Sequence, residues 1–169
     1  QKGEYDPARE NVFVPALCNR IDRNTQGIVI GAKNSQALMI LNEKIKGREL
    51  DKVYHCLVFG KPTPPSADCT AYLKKDASAN LVTVSDRPKE GFRDIRTAYR
   101  TLASDGNLSL LEVTLYTGRT HQIRAHMAHL GYPLVGDTKY GRAKQNQGYP
   151  FPYQALSSCK LTFAFETDG

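Results

Sequence analysis

Alternating apolar and polar positions run through the middle of the chain and predict a series of strands. The two faces of the first, residues 52–59, carry Val53, His55, Leu57 and Phe59 on one side and Tyr54, Cys56 and Val58 on the other. Shorter strand candidates follow at residues 68–73, 80–85, 96–102 and 108–116, the last two joined as a hairpin across residues 104–107. An apolar run between glycines, residues 27–32, predicts a buried strand, and alternation over residues 159–165 predicts a closing strand.

Helical periodicity occurs in two segments. In the first, Asn34 or Ser35 is a polar cap for a helix that continues to about Lys46, and Gly47 stands in the position of a C-terminal cap glycine. Leu38, Leu41 and Ile45 form its apolar stripe. Residues 1–16 are polar and interrupted by prolines, which predicts an irregular lead-in to a domain over residues 17–169.

The second helical segment covers residues 120–130. Thr120 is its candidate N-cap, and Gly131 with Pro133 ends it. Residues 137–153 predict a basic loop, in which Lys144 is one of the charged positions. Many adjacent strands with few helices are typical of an α+β domain, here one with a central mixed, mainly antiparallel sheet flanked by helices and loops.

Charge gives the first indication of a partner. The 169 residues contain 23 Lys and Arg against 17 Asp and Glu, a formal net charge of +6. Such an excess suits a polyanion such as RNA, although many soluble domains are mildly basic. The mean hydropathy of −0.47 and the lack of an apolar run of roughly 18 residues argue against a membrane protein.

The four cysteines, Cys18, Cys56, Cys69 and Cys159, are scattered without a CxxC pair. This spacing fits neither a zinc site nor a disulfide scaffold and indicates a reducing cytoplasm. Cys56 and Cys159 fall within strand patterns, so we expect both to be small core residues.

The least ordinary local composition is in residues 19–27, where Asp22 stands between Arg20 and Arg23 in loop-like sequence. Neighbouring cations favour an ionised carboxylate, which suits a nucleophile or an electrostatic stabiliser. A loop aspartate in ordinary salt bridges explains the same residues, and composition alone favours that simpler reading.

Residues 118–127 form a second unusual segment. His121, His126 and His129 invite a metal interpretation, but His121 and His126 are five positions apart and do not share a helical face, so we expect no metal. Arg124 lies beside the apolar seam and either reaches a cleft or is a solvated helix arginine. Tyr54 on the first strand is either a stacking surface for a base or a core tyrosine.

Together these segments resemble an RluA-type RNA pseudouridine synthase. That family has an H-R-L-D-x-x-T-S-G motif, which reads Asn-Arg-Ile-Asp-Arg-Asn-Thr-Gln-Gly over residues 19–27. Its K-x-Y strand matches residues 52–54, and its G-R-[TS]-H-Q-[IL]-R helix start matches residues 118–124 in full. The continuation over residues 126–141 is also family-like, and the resemblance covers roughly residues 17–165.

The resemblance implies a pseudouridine synthase fold and the isomerisation of uridine in RNA, mainly large-subunit ribosomal RNA, with transfer RNA as another substrate. The reaction is redox-neutral and implies no cofactor. Asp22 would be the essential carboxylate, acting on the sugar or on the base, and Arg124 would keep it ionised and oriented. Tyr54 would stack on the target base, and Arg20 would fill the space left by the extruded uridine.

The expected RNA contacts lie on loops around the cleft: Arg20, Arg23, Thr25, Arg119, His121, Lys139 and Arg142. Asn19 and Gln26 depart from the family's His and Ser, which puts the packing of this loop in question. The family's upstream segment is not present, so we expect a catalytic domain incomplete at its N-terminus. We expect a cytoplasmic monomer. The alternative is a catalytically silent RNA-binding or ribosome-assembly domain, against which stands the retention of Asp22, Tyr54 and Arg124.

Overall fold

Nine strands and three helices form the part of the chain that the computed structural model describes, residues 13–164. In chain order they are β1 (Ala16–Leu17), β2 (Gln26–Gly27), β3 (Gly31–Ala32), α1 (Ser35–Lys46), β4 (Asp51–Phe59), β5 (Ser66–Asp76), β6 (Leu81–Ser85), β7 (Arg93–Ser104), β8 (Leu108–Leu115), α2 (Gln122–His129), α3 (Ala143–Asn146) and β9 (Leu156–Thr162). Residues 1–12 of the predicted lead-in lie outside the described residues.

Seven strands form one mixed sheet in the order β2-β9-β4-β8-β7-β5-β6. All pairs are antiparallel except β2 with β9, which run parallel. β1 and β3 form a separate antiparallel pair. The predicted α+β class with a mixed, mainly antiparallel sheet is therefore confirmed, and so is the hairpin between β7 and β8.

Both predicted helices are present: α1 has the predicted bounds, Ser35–Lys46, whereas α2 is shorter than predicted and covers Gln122–His129. The side chain of Asn34 accepts a hydrogen bond from Ala37 N and caps α1. Gly47 keeps a right-handed helical φ of −71°, and it is Arg48 that takes the left-handed conformation, with φ 61°. The prediction of Thr120 as the cap of α2 is wrong, because His121 occupies the N-cap position and makes no side-chain capping bond.

The core lies between α2 and one face of the sheet. Tyr54, Cys56 and Val58 of β4 point to this face, as the alternation of residues 52–59 predicted. Ile123 and Met127 of α2 pack against them. Burial of this face fixes the position of α2 on the sheet, and with it the position of Arg124.

The prediction of one buried strand over residues 27–32 is wrong. The segment divides between β2 and β3, which belong to different sheets, and Ile28 and Val29 are 41% and 37% exposed. Gly27 has a φ of 118°, and a Cβ there would overlap the backbone of Ser158. The chain therefore pairs closely with β9 at this glycine and then turns away, which leaves the apolar side chains outside.

The closing strand also differs from its prediction. β9 begins at Leu156 and ends at Thr162, whereas Phe165 lies outside the described residues. Tyr54 pairs with Ser158 and Val53 with Lys160, so Cys159 is the additional residue of a β-bulge. Its side chain is exposed, and the expectation that Cys159 is a core residue is wrong, although Cys56 is buried as expected.

The predicted basic loop over residues 137–153 contains the short helix α3, which has no buried residues. One of its side chains supports the neighbouring backbone twice, since Asn146 Oδ1 accepts from Gly136 N and Asn146 Nδ2 donates to Asp137 O. The segment is therefore fastened to the core at the point where Asp137 lies.

His126 gives the core a testable pH dependence. Its side chain is buried, and burial lowers the pKa of its imidazole from 6.5 to about 4. Between these values the unfolded chain binds a proton that the native protein does not, so stability falls as the pH drops through this window.

We expect the free energy of unfolding to be about 2–3 kcal/mol lower at pH 4.5 than at pH 7 on account of His126. Urea unfolding of the wild type and of His126→Asn at both pH values measures this share, because the asparagine does not titrate. An equal pH dependence in the two proteins would contradict the assignment.

Candidate active site

A cleft with a volume of about 280 Å³ opens over the sheet face that carries Tyr54. Its walls come mainly from three parts of the chain: the loop of residues 18–25, the start of β4 and the segment that leads into α2, with one further residue each from α1, β8 and β9. The residues that line it are Cys18, Asn19, Arg20, Ile21, Asp22, Thr25, Ile45, Lys52, Tyr54, Leu115, Gly118, Arg119, Thr120, His121, Gln122, Ile123 and Leu156. The cleft thus gathers all three motifs of the sequence.

One side-chain bond and one backbone bond hold the loop that carries Asp22. Asn19 Oδ1 accepts from Ile30 N at 2.7 Å, which fastens the start of the loop to the segment that follows β2. Thr25 N donates to Asp22 O at 3.0 Å and closes a turn. The departure of Asn19 from the family's histidine therefore has a structural role here.

The other end of this loop is fixed from a distant part of the chain. Gln154 Nε2 donates to Arg23 O at 2.7 Å and to Thr25 Oγ1 at 3.2 Å. Gln154 and Thr25 are both buried, so these bonds are shielded from water. The loop is consequently rigid on both sides of Asp22.

Arg124 joins two carboxylates from different loops. Its Nε and Nη2 donate to the two carboxylate oxygens of Asp137 at 2.7 and 2.9 Å, a bidentate pair. Its Nη1 lies 3.7 Å from Asp22 Oδ2, within ion-pair distance. The predicted meeting of Asp22 and Arg124 is present, but Asp137 is the closer partner of the arginine.

Sequence reasoning gave no role to Asp137, although it lies within the family-like segment 126–141. Its side chain is fully buried, and its Oδ1 also accepts from Lys139 N and Tyr140 N. Burial alone would raise the pKa of the Asp137 carboxyl, but the hydrogen bonds and the charge of Arg124 outweigh burial and lower it. Burial likewise acts to lower the pKa of Arg124, and Asp137 reverses that effect and raises it.

Tyr54 belongs to the core and to the cleft at the same time. It is 8% exposed, packs in the cluster under α2 and lines the cleft beside Asp22. Burial raises the pKa of its hydroxyl, a hydrogen bond with Ser158 acts against this, and the charge of Asp22 adds to the rise. The phenol therefore remains protonated at neutral pH, able to donate a hydrogen bond.

The segment before α2 depends on Gln122, another residue that sequence reasoning left without a role. Its Oε1 accepts from Thr117 Oγ1 and Arg119 N, and its Nε2 donates to Arg96 O and Thr97 Oγ1. A buried amide with all of these bonds fixes the turn that places Arg119 and His121 on the cleft wall.

The three histidines near α2 each bond to a different neighbour. His121 Nδ1 lies 2.7 Å from Tyr140 Oη, His126 Nδ1 lies 3.1 Å from Thr97 Oγ1, and His129 Nε2 lies 2.7 Å from Asp86 Oδ1. Across residues 13–164 there is no group of three or more His, Cys, Asp or Glu placed to hold a metal ion.

The expected RNA contacts fall into two groups. Those that line the cleft are Arg20, Thr25, Arg119 and His121. Arg23, Lys139 and Arg142 are exposed outside its walls. Thr25 is buried and bonded to Gln154, so its side chain supports the loop. Lys139 Nζ donates to Asn80 O, which connects residues 137–141 to the turn before β6.

In this sheet, an aspartate loop and a strand tyrosine line one cleft, and a buried helix arginine lies beside the aspartate. This is the architecture that the resemblance predicted for RNA pseudouridine synthases. The model of the RNA pseudouridylate synthase family matches residues 1–129. The chain belongs to this family. Within residues 13–164, no helix has the length and apolarity to cross a bilayer.

Individual relatives agree with this assignment. An RNA pseudouridine synthase of Mycoplasma genitalium is 39% identical over 163 residues, covering 95% of this chain and 50% of the relative. A ribosomal large subunit pseudouridine synthase D of Borreliella burgdorferi is 36% identical over 135 residues, covering 79% of this chain and 40% of the relative. The chain thus spans about half or less of the length of these relatives.

The fold is also that of a solved structure, human RNA pseudouridylate synthase domain containing 1. The two superpose with a TM-score of 0.80 at 24% identity, over 92% of this chain and 66% of the human chain. This likeness confirms the predicted fold.

The buried pair at Asp137 yields a stability prediction. Asp137→Asn leaves the Arg124 guanidinium buried without its closest carboxylate, and we expect it to lower the free energy of unfolding by about 3–5 kcal/mol. Asp22→Asn is the matched control, because Asp22 is part-exposed and more distant, and should cost about 1 kcal/mol or less. Urea unfolding at pH 7 measures both, and equal costs would contradict the assigned role of Asp137.

Proposed function

We propose that this chain is the catalytic part of an RNA pseudouridine synthase that isomerises uridine in large-subunit ribosomal RNA. The observation that carries the proposal is the part-buried Asp22 carboxylate, 3.7 Å from the buried Arg124 guanidinium, in a cleft also lined by Tyr54. Family membership supports the reaction. The name of the Borreliella burgdorferi relative supports ribosomal RNA as the substrate. Transfer RNA is the alternative substrate.

In the reaction the N1–C1′ bond of the nucleotide breaks, the uracil turns, and C5 bonds to the same C1′. The proton released from C5 is balanced by the one gained at N1, so no electrons leave the nucleotide. Asp22 acts on the sugar or on the base, and the rigid loop around it limits the carboxylate to one approach. The guanidinium of Arg124 lies beside it and keeps that carboxylate in place through all steps of the reaction.

Tyr54 completes the arrangement. Its ring forms part of the cleft wall and offers a surface for the target base, and its protonated hydroxyl can donate to an oxygen of that base. Arg20 is exposed at the cleft rim, where it would take the place of the extruded uridine in the RNA stem. The enzyme would act in the cytoplasm as a monomer, and the reaction asks for no cofactor.

Asp22→Asn tests the chemistry, since it removes the charge with almost no change of shape. We expect the full-length variant to fold, to bind ribosomal RNA and to lose pseudouridine formation by about 10³-fold or more. Chemical mapping of pseudouridine in large-subunit RNA provides the measurement. Asp68→Asn is the control, because Asp68 forms an exposed ion pair with Arg96 outside the cleft.

The result also separates the two classes of function. Wild-type protein that binds the RNA but forms no pseudouridine would favour the silent RNA-binding domain. Full activity of Asp22→Asn would refute the mechanism.

A further prediction concerns the positively charged residues around the cleft. We propose that this basic rim consists of Arg20, Arg23, Arg119, Lys139, Arg142 and Lys144. Phosphate contacts release counterions, so affinity should fall steeply with salt. We expect Arg142→Ala, which removes an exposed charge of the rim, to weaken binding and to reduce the slope of log affinity against log salt by about one. Arg100→Ala is the control, because Arg100 pairs with Glu112 outside the cleft. Filter binding between low and physiological salt measures both, and identical slopes for the two variants would contradict the proposed rim.

A further inference from the structure

A short chain of hydrogen bonds connects the cleft wall to the far end of the sheet. Val82 N on β6 donates to Tyr140 Oη at 3.1 Å, and Tyr140 Oη lies 2.7 Å from His121 Nδ1. The two rings meet edge to face, with centroids 5.6 Å apart. Tyr140 therefore touches both the cleft histidine and the backbone of an edge strand.

The donors and acceptors along these hydrogen bonds indicate which ring nitrogen of His121 carries the proton. A tyrosine hydroxyl has one proton, and its oxygen already accepts from Val82 N. Among residues 13–164, His121 Nδ1 is the partner within hydrogen-bond distance for that proton, so we assign Tyr140 as the donor and Nδ1 as the acceptor. The proton of a neutral His121 accordingly lies on Nε2.

The opposite side of the ring is available to a ligand. No hydrogen-bond partner for His121 Nε2 occurs within residues 13–164, and this atom is not among the buried polar atoms left unpaired there. His121 is 9% exposed and lines the cleft, and its unpaired Nε2 retains some accessible surface, from which we infer that this atom faces the cleft. Burial lowers the pKa of His121, and the nearby charges of Arg124 and Lys139 act in the same direction, against those of Asp22 and Asp137.

The backbone of His121 is also unusual. It has a φ of 51°, in the left-handed region that a non-glycine residue rarely adopts. Gln122 holds this turn from the adjacent position, with bonds to β7 and to Thr117. A histidine kept in such a conformation is a reason to look for function in its side chain.

We propose that Tyr140 is a positioning residue that keeps His121 in its neutral Nε2–H form, so that Nε2 donates a hydrogen bond to an oxygen of the nucleotide in the cleft. This rests on the proposed function for the identity of the ligand. The acceptor is a base carbonyl or a phosphate oxygen, which share the chemistry of a hydrogen-bond acceptor. The protonation form of the His121 ring does not depend on which substrate binds.

The first experiment measures that form directly. Long-range ¹H–¹⁵N spectra of the histidine rings distinguish a protonated from an unprotonated nitrogen, and we expect Nε2–H at His121 at pH 7. Tyr140→Phe should abolish this preference and give a mixture of forms. Tyr132→Phe is the matched control, because Tyr132 Oη also accepts a backbone N–H, that of Thr63, without touching a histidine. A charged ring or an Nδ1–H form in the wild type would overturn the proposal.

The second experiment uses substitutions that separate donation from backbone strain. The amide nitrogen of His121→Gln reaches about where Nε2 lies, whereas that of His121→Asn does not. Asparagine tolerates the left-handed conformation better than glutamine does, so a purely structural role would rank Asn above Gln. Donation by Nε2 ranks Gln above Asn, with a loss of about tenfold for Asn in kcat/KM on large-subunit RNA.

The kinetic constants then identify the acceptor. A phosphate keeps its charge during the reaction, so loss of its donor raises KM alone, whereas charge developing on a base carbonyl makes the loss appear in kcat. Asn equal to or better than Gln would overturn donation by Nε2. Wild-type protein inactive on RNA would refute the proposed function, while the ring spectra would still decide the form of His121.

Discussion

The buried pair of Arg124 and Asp137 is the interaction on which the site depends. Removing a guanidinium and a carboxylate from water costs several kcal/mol per ion, and only close, well-directed contact offsets it. Bidentate bonds at 2.7 and 2.9 Å provide that contact. They use Nε and Nη2 and leave Nη1 toward Asp22, so the structural pair also determines where Asp22, the proposed catalytic carboxylate, lies beside a cation.

Two buried amides extend this order to the loops. Gln122 joins the turn before α2 to β7, and Gln154 joins the aspartate loop to the approach of β9. Gln122 uses both its donor and its acceptor groups, and Gln154 donates to two partners on one loop. An apolar side chain can do neither. The walls of the cleft are thus fixed by directional bonds, whereas the sheet beneath them is fixed by apolar packing.

Periodicity predicted α1, the strands β4 to β8 and the shared face of Tyr54, Cys56 and Val58. It predicted burial of Ile28 and Val29 wrongly, because an apolar run does not show where the strand pairing stops. The exposure of Cys159 follows from a one-residue bulge that alternation cannot reveal. Asp22 with Arg124 came from the resemblance to a family, and Asp137 was missed because no local pattern marks an ion-pair partner in a distant loop.

The bond between Gln154 and Arg23 closes a separation of 131 residues. β2 and β9 pair across a similar length of chain. Contacts between residues this far apart in sequence require the closing of a long loop, which costs conformational entropy. They therefore tend to form after local contacts. On the ribosome, the aspartate loop leaves the exit tunnel long before the residues that hold it, so a nascent chain has helix α1 and the central hairpins before it has a cleft. The cleft at which we propose that RNA binds is therefore complete only when almost the whole described chain has been synthesised.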